Sequence, residues 1–81
     1  MTEQIIQILE RVTDHKGIRT DTDLLEEDIL DSLALIELMN ELEIAFQVEV
    51  QPTQVPSETW QTAERIAEMV EALRKRERKP L

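Results

Sequence analysis

No cysteine occurs among the 81 residues, so the chain itself can build no disulfide, no thiolate metal site and no cysteine nucleophile. Sulfur chemistry would require an attached prosthetic group. Histidine occurs once, as His15, which leaves a Ser-His-Asp arrangement a single base and offers a transition metal a poor donor set. Its place near the end of the first predicted helix suits an interaction with that helix end. Aromatic residues are scarce: only Phe46 and Trp60. The N-terminus shows no apolar leader and no stretch is long enough to cross a bilayer, which reads as a cytosolic protein with no membrane contact expected for its body. Basic side chains are outnumbered two to one, 9 Lys and Arg against 18 Asp and Glu, giving a net charge of −9. The imbalance is uneven, −13 over residues 1–73 and +4 over residues 74–81. An acidic body argues against nucleic acid, which needs a basic face. It favours partners with basic patches, where attraction speeds encounter more than it deepens affinity.

The length allows one small domain, monomeric and without staples, over residues 1–73, followed by a basic segment, 74–81, expected to fray. Ile5, Ile8, Leu9 and Val12 form the stripe of an amphipathic first helix, capped by Thr2 and running to about Lys16. Gly17, the only glycine, stands just past it as a C′ residue of positive φ. Residues 18–31 make a long connection, expected to pack over the helices through Ile18, Leu24, Leu25, Ile29 and Leu30, with a short turn near Leu24 to Asp28. Its acids (Asp21, Asp23, Glu26, Glu27, Asp28, Asp31) lack the glycine and the ligand period of a calcium loop, so no metal site is assigned.

The strongest helical pattern runs from Ser32 to Phe46. Asp31 and Ser32 open it where side-chain oxygens are favoured, because they accept bonds from the free N–H groups of the first turn. At about 100° per residue, Leu35, Leu38, Met39, Leu42, Ala45 and Phe46 share the expected buried arc. Glu37, Asn40, Glu41 and Glu43 face outward, and so do Leu33 and Ile36, one turn apart beside Ser32. On pattern alone, that apolar pair reads equally as a small docking patch or as packing under the preceding loop.

Farther on, Gln47-Val48-Glu49-Val50 alternates like a strand but has no partner run, so it reads as an extended loop. Pro52 and Pro56 limit any helix between them to a turn, and Ser57 is placed to cap another short turn through Trp60, a core or seam anchor. Thr62 caps a last helix with Ile66, Met69, Val70 and Leu73 as its stripe, ended by Arg74 and Lys75. The fold class is all-α: a small bundle of three main helices plus a short helical turn.

Asp31-Ser32-Leu33 followed by Ala34-Leu35-Ile36-Glu37-Leu38, with Leu42-Glu43, Phe46 and the acidic loop before them, resembles an acyl carrier protein or peptidyl carrier domain over essentially the whole domain. Thr53, Trp60-Gln61-Thr62-Ala63 and Ile66 are similar to the Thr…Trp-x-Thr-Ala-x-x-Ile pattern of D-alanyl carrier proteins, which serve teichoic acid D-alanylation. Asp28 stands where the family usually has glycine, Leu33 where D-alanyl carriers usually have Met, and Asn40 where an apolar residue is usual; Pro56 and the basic tail are also unlike them. The resemblance implies that Ser32 carries 4′-phosphopantetheine, attached from coenzyme A by a phosphopantetheinyl transferase. It implies Asp31, Leu33, Ile36, Glu37 and Glu43 as the partner-docking face. The implied function is that of a carrier, holding an aminoacyl or small acyl group as a thioester between a loading ligase and an acceptor enzyme. The chain itself would catalyse nothing, in keeping with its lack of an acid–base constellation. A fatty-acyl or polyketide carrier is the alternative cargo reading. An acidic helical adaptor without a prosthetic group would explain the charge but gives no reason for Asp31-Ser32-Leu33.

Overall fold

Ile5, Ile8 and Leu9 bury one face of α1 (Thr2–Thr13), which opens the chain. In the computed structural model, which describes residues 1–77, α2 (Ser32–Phe46) and α3 (Ala63–Glu77) complete the bundle. Two short 3-10 helices, Pro52–Gln54 and Ser57–Gln61, lie between α2 and α3, and no strand occurs among the described residues. The fully buried side chains Ile5, Leu9, Leu24, Leu38, Leu42, Ile66 and Val70 come from all three helices and the long loop, so each element contributes to one core. Truncating a fully buried Leu in such a core costs about 2–5 kcal/mol, a large share of what a small domain has.

α1 ends earlier than its apolar stripe suggests, at Thr13 instead of about Lys16. The Thr13 hydroxyl donates back to the Leu9 carbonyl at 2.6 Å and accepts the His15 N–H at 3.3 Å, offering the backbone an alternative to another helical turn. Asp14 then takes the left-handed conformation (φ 57°) that closes the helix, and Thr2 is its first residue, with Met1 at the cap position. Gly17 does have positive φ, 76°, but three residues farther on than the closing position, inside the loop. The Glu10 carboxylate accepts the Ile18 N–H at 3.1 Å and brings the loop back against α1.

The loop packs through Ile18, Leu24 and Leu30, with Ile29 half-buried, while Leu25 stays 44 % exposed. Its turn at Leu24–Asp28 is closed by the N–H groups of Ile29 and Leu30, both donating to the Leu24 carbonyl at 3.0 and 3.1 Å. The loop is also stitched to the far end of the chain. Leu24 N–H donates to the Gln61 carbonyl at 2.7 Å, and Glu64 N–H to the Thr20 carbonyl at 3.2 Å.

Val48 and Val50 are buried and Glu49 is exposed, as the alternation predicts for an extended segment lying on the core. Ser57 begins the second 3-10 helix without capping it; Pro56 holds that place, its carbonyl accepting the Thr59 N–H at 3.0 Å. Trp60 is buried in the core. Thr62 caps α3, its hydroxyl oxygen accepting the Arg65 N–H at 3.2 Å. Buried Ala63 and Ala67 allow close approach there. α3 continues past Arg74 and Lys75 to Glu77, because Arg and Lys are good helix formers and no Gly or Pro intervenes. The remainder of the basic segment, 78–81, lies outside the described residues.

Candidate functional site

The entrance to α2 is built by two side chains from the loop. Asp31, in extended conformation, accepts the Ala34 N–H on Oδ1 at 2.8 Å and so satisfies one donor of the first turn. Its carbonyl accepts the Leu35 N–H at 2.8 Å, the first bond of the helix ladder. With Asp31 as cap, Ser32 becomes the first helical residue, exposed and free of the capping task. Upstream, Asp23 fixes the turn that delivers them: Oδ1 accepts the Glu26 N–H at 2.9 Å, and Oδ2 accepts the Gln61 side-chain amide at 2.9 Å. The Glu26 backbone bond above all, then those from Gln61 and the Leu25 N–H, hold the Asp23 carboxyl below its ordinary value of 3.8, against a smaller opposing effect of desolvation.

Asp28, three residues before Asp31, has φ 57°. An L-residue with a Cβ is penalised there, and Asp is among the few that tolerate it. This gives a backbone reason for the glycine usual at that position in the resembled family.

The outer face of α2 differs in detail from the one read from periodicity. Leu33 and Ile36 are exposed, 68 % and 63 %, and so do not pack under the loop. Glu37 and Asn40 are exposed beside them. Ile44, absent from the outer face inferred from the sequence, is 68 % exposed and belongs to the same strip, since eleven residues at 100° bring it within about 20° of Leu33. Glu43 stands at the margin, half-buried, its carboxylate accepting the Val50 N–H at 2.9 Å. Glu41, on the opposite margin, is half-buried and ion-paired with Arg11 of α1. The strip is thus mostly apolar, with Glu37 as its one carboxylate, on the side toward Glu41, and two margin carboxylates engaged within the fold. Along the inner face Ala34, Leu38 and Leu42 are buried and Leu35, Met39 and Phe46 half-buried, whereas Ala45, eleven residues on from Ala34 and near the same azimuth, is exposed at the far end of the helix.

The Ser32 hydroxyl is exposed in the first turn of a 15-residue helix, where an anionic group on it would meet the positive end of that helix, against the nearby Asp31 charge. An open groove of about 610 Å³ lies elsewhere, between the Glu49–Thr59 segment and the second half of α3, and its lining includes no α2 residue.

Residues 3–72 match the family described as phosphopantetheine attachment site, and the chain belongs to that family. It is a carrier of the kind that works through a covalently attached 4′-phosphopantetheine, a role that is not itself catalytic. Within the family it is similar to D-alanyl carrier proteins. That of Lactococcus lactis subsp. lactis is 45 % identical over 73 residues, covering 88 % of this chain and 92 % of that protein. That of Enterococcus faecalis is 37 % identical, covering 88 % and 94 %. That of Listeria welshimeri is 31 % identical over 74 residues, covering 89 % and 95 %.

Proposed function

We propose that Ser32 is the attachment residue and that the chain ferries an aminoacyl group in the cytoplasm between a loading ligase and an acceptor enzyme, with no activity of its own. The observation carrying this reading is the exposed Ser32 hydroxyl at the first turn of α2, released from capping because Asp31 performs it. The bound arm would supply a terminal thiol that holds the acyl group as a thioester. The chain's own residues do the rest. Asp31 keeps the first turn wound and Ser32 presented. Leu33, Ile36, Glu37 and Ile44 offer enzymes a contact surface, and weak contacts, with encounter steered by the charge of the acidic body, favour rapid exchange between successive partners. The names of the relatives make D-alanine the first cargo to test.

The test is intact mass after incubation with coenzyme A and a broad-specificity phosphopantetheinyl transferase. One added arm is expected, and none in Ser32→Ala. In a second incubation the modified protein receives D-alanine with ATP and a D-alanine-activating ligase, against a fatty acid with its own ligase. An arm on Ser32→Ala would refute the assignment of the residue; loading by the fatty acid alone would refute the cargo.

A further inference from the structure

The last turn of α3 concentrates positive charge on a protein that is otherwise acidic. Arg74, Lys75 and Arg76 are consecutive, so their side chains leave the helix about 100° apart and form a collar around its end rather than a stripe along one face. Helix-dipole complementarity accounts for a cation or two in a last turn, but a three-residue collar followed in sequence by Arg78 and Lys79 exceeds it. Lys75 and Arg76 are exposed and Arg74 is half-buried. Lys75 and Glu71 approach only to 3.9 Å with both side chains mostly exposed, a pairing too weak to neutralise either. Beside the collar, Arg76 lines the open groove of about 610 Å³ together with Val55, Pro56, Met69 and Leu73, so apolar surface adjoins the cations, with Glu49 as the groove's one carboxylate.

We propose that this end of α3 docks the carrier, end-on and reversibly, to an anionic lipid surface. A collar meets a flat, diffusely charged sheet with all its members at once, whereas a protein groove would engage one side of it. The acidic body opposes side-on contact and so sets the orientation. Against a screening length of about 8 Å at physiological ionic strength, a molecule 42 × 24 × 19 Å in extent exposes only the charges nearest the contact to a surface potential, so most of the 17 carboxylates of residues 1–73 are screened from a surface met by the collar. The groove's apolar lining lies where it can take up part of the interfacial layer.

The experiment is sedimentation of the full-length protein, without its prosthetic group, with vesicles of phosphatidylglycerol and phosphatidylcholine (3:7) or of phosphatidylcholine alone. Binding to the anionic vesicles is expected at 50 mM salt, with release at 500 mM. Each basic side chain near an anionic surface raises partitioning roughly fivefold, so an Arg74→Gln/Lys75→Gln/Arg76→Gln variant is expected to bind on the order of a hundredfold more weakly. Gln retains helix propensity at these positions. A control, Lys16→Gln/Arg19→Gln/Arg65→Gln, removes the same charge from exposed sites elsewhere and is expected to leave binding within a fewfold of the parent protein. Equal losses in the two variants, equal binding to phosphatidylcholine alone, or no binding of the parent protein at 50 mM salt would each overturn the proposal. None of these readouts depends on Ser32.

Discussion

Glu43 separates a structural from a docking role, and its two substitutions should part company. Its carboxylate accepts the Val50 N–H at 2.9 Å across a seven-residue span, tying the exit of α2 to the segment that seats Val48 and Val50 in the core. Glu43→Ala leaves that donor without its charged acceptor. Hydrogen bonds to charged groups contribute about 1.5–3 kcal/mol, and half-burial places this one near the lower end, about 1.5 kcal/mol. For a domain of this size, that lowers the Tm by about 6–12 °C. Glu43→Gln keeps an acceptor oxygen and loses only the charge assistance, about 0.5 kcal/mol. Urea unfolding of the three proteins, with loading rates measured well below the unfolding transition, reads both properties. The expected pattern is a marked loss of stability in the alanine variant, a small one in the glutamine variant, and an unchanged loading rate in Glu43→Gln while Glu37→Gln slows loading. A Glu43→Gln variant of parental stability that slowed loading as much as Glu37→Gln would show that the partner reads this charge, and the structural assignment would be wrong.

Backbone strain gives a second, paired prediction. Gln47 closes α2 at φ 55° without the local bonding a shorter polar side chain could make, so Gln47→Gly should raise the urea midpoint by the equivalent of about 0.5–1 kcal/mol at unchanged m-value. Gly17→Ala should lower it by about 1 kcal/mol, because a Cβ there meets no neighbouring atom and only the φ of 76° opposes it; a fall for Gln47→Gly or a rise for Gly17→Ala would undo the argument. Acid stability gives the third. The Asp23 carboxyl titrates below its unfolded value, so its contribution is complete above about pH 4 and disappears as pH falls through the lower folded value. Asp23→Asn should therefore lose less stability than the parent protein between pH 4 and 2.5 in urea melts, and parallel curves would contradict this.

The limits of α2 were readable from sequence because local rules agree there: an Asp–Ser entrance, a long apolar pattern, and a polar exit at Gln47. Which of its apolar residues are fully buried was not. Leu33, Ala34, Leu35 and Ile36 are consecutive apolar residues and Ile44, Ala45 and Phe46 are three more, so hydrophobicity around the helix is nearly even. Ala34 is buried and Ala45, near the same azimuth eleven residues on, is exposed, a difference of position along the helix that periodicity does not register. Nor could the pattern show which carboxylates were engaged, because Glu41 is met by Arg11 thirty residues earlier and Glu43 by the backbone of Val50. Ile44 was within reach, since the same 100° count that grouped Leu33 with Ile36 places it on their strip. The end of α1 was hidden for a different reason. Thr13 turns its hydroxyl onto the Leu9 carbonyl, a choice of rotamer that hydrophobic periodicity does not register.

The bonds from Leu24 and Asp23 to Gln61 have a consequence for synthesis of the protein. The loop that delivers Asp31 and Ser32 is completed by a residue made 38 positions after Asp23 and 29 after Ser32. Until residue 61 is free of the ribosome, the scaffold that presents the serine is unfinished. A transferase that reads the finished entrance of α2 would then act only after the last third of the domain has joined the first, so the prosthetic group would be added to folded chains and withheld from nascent or truncated ones.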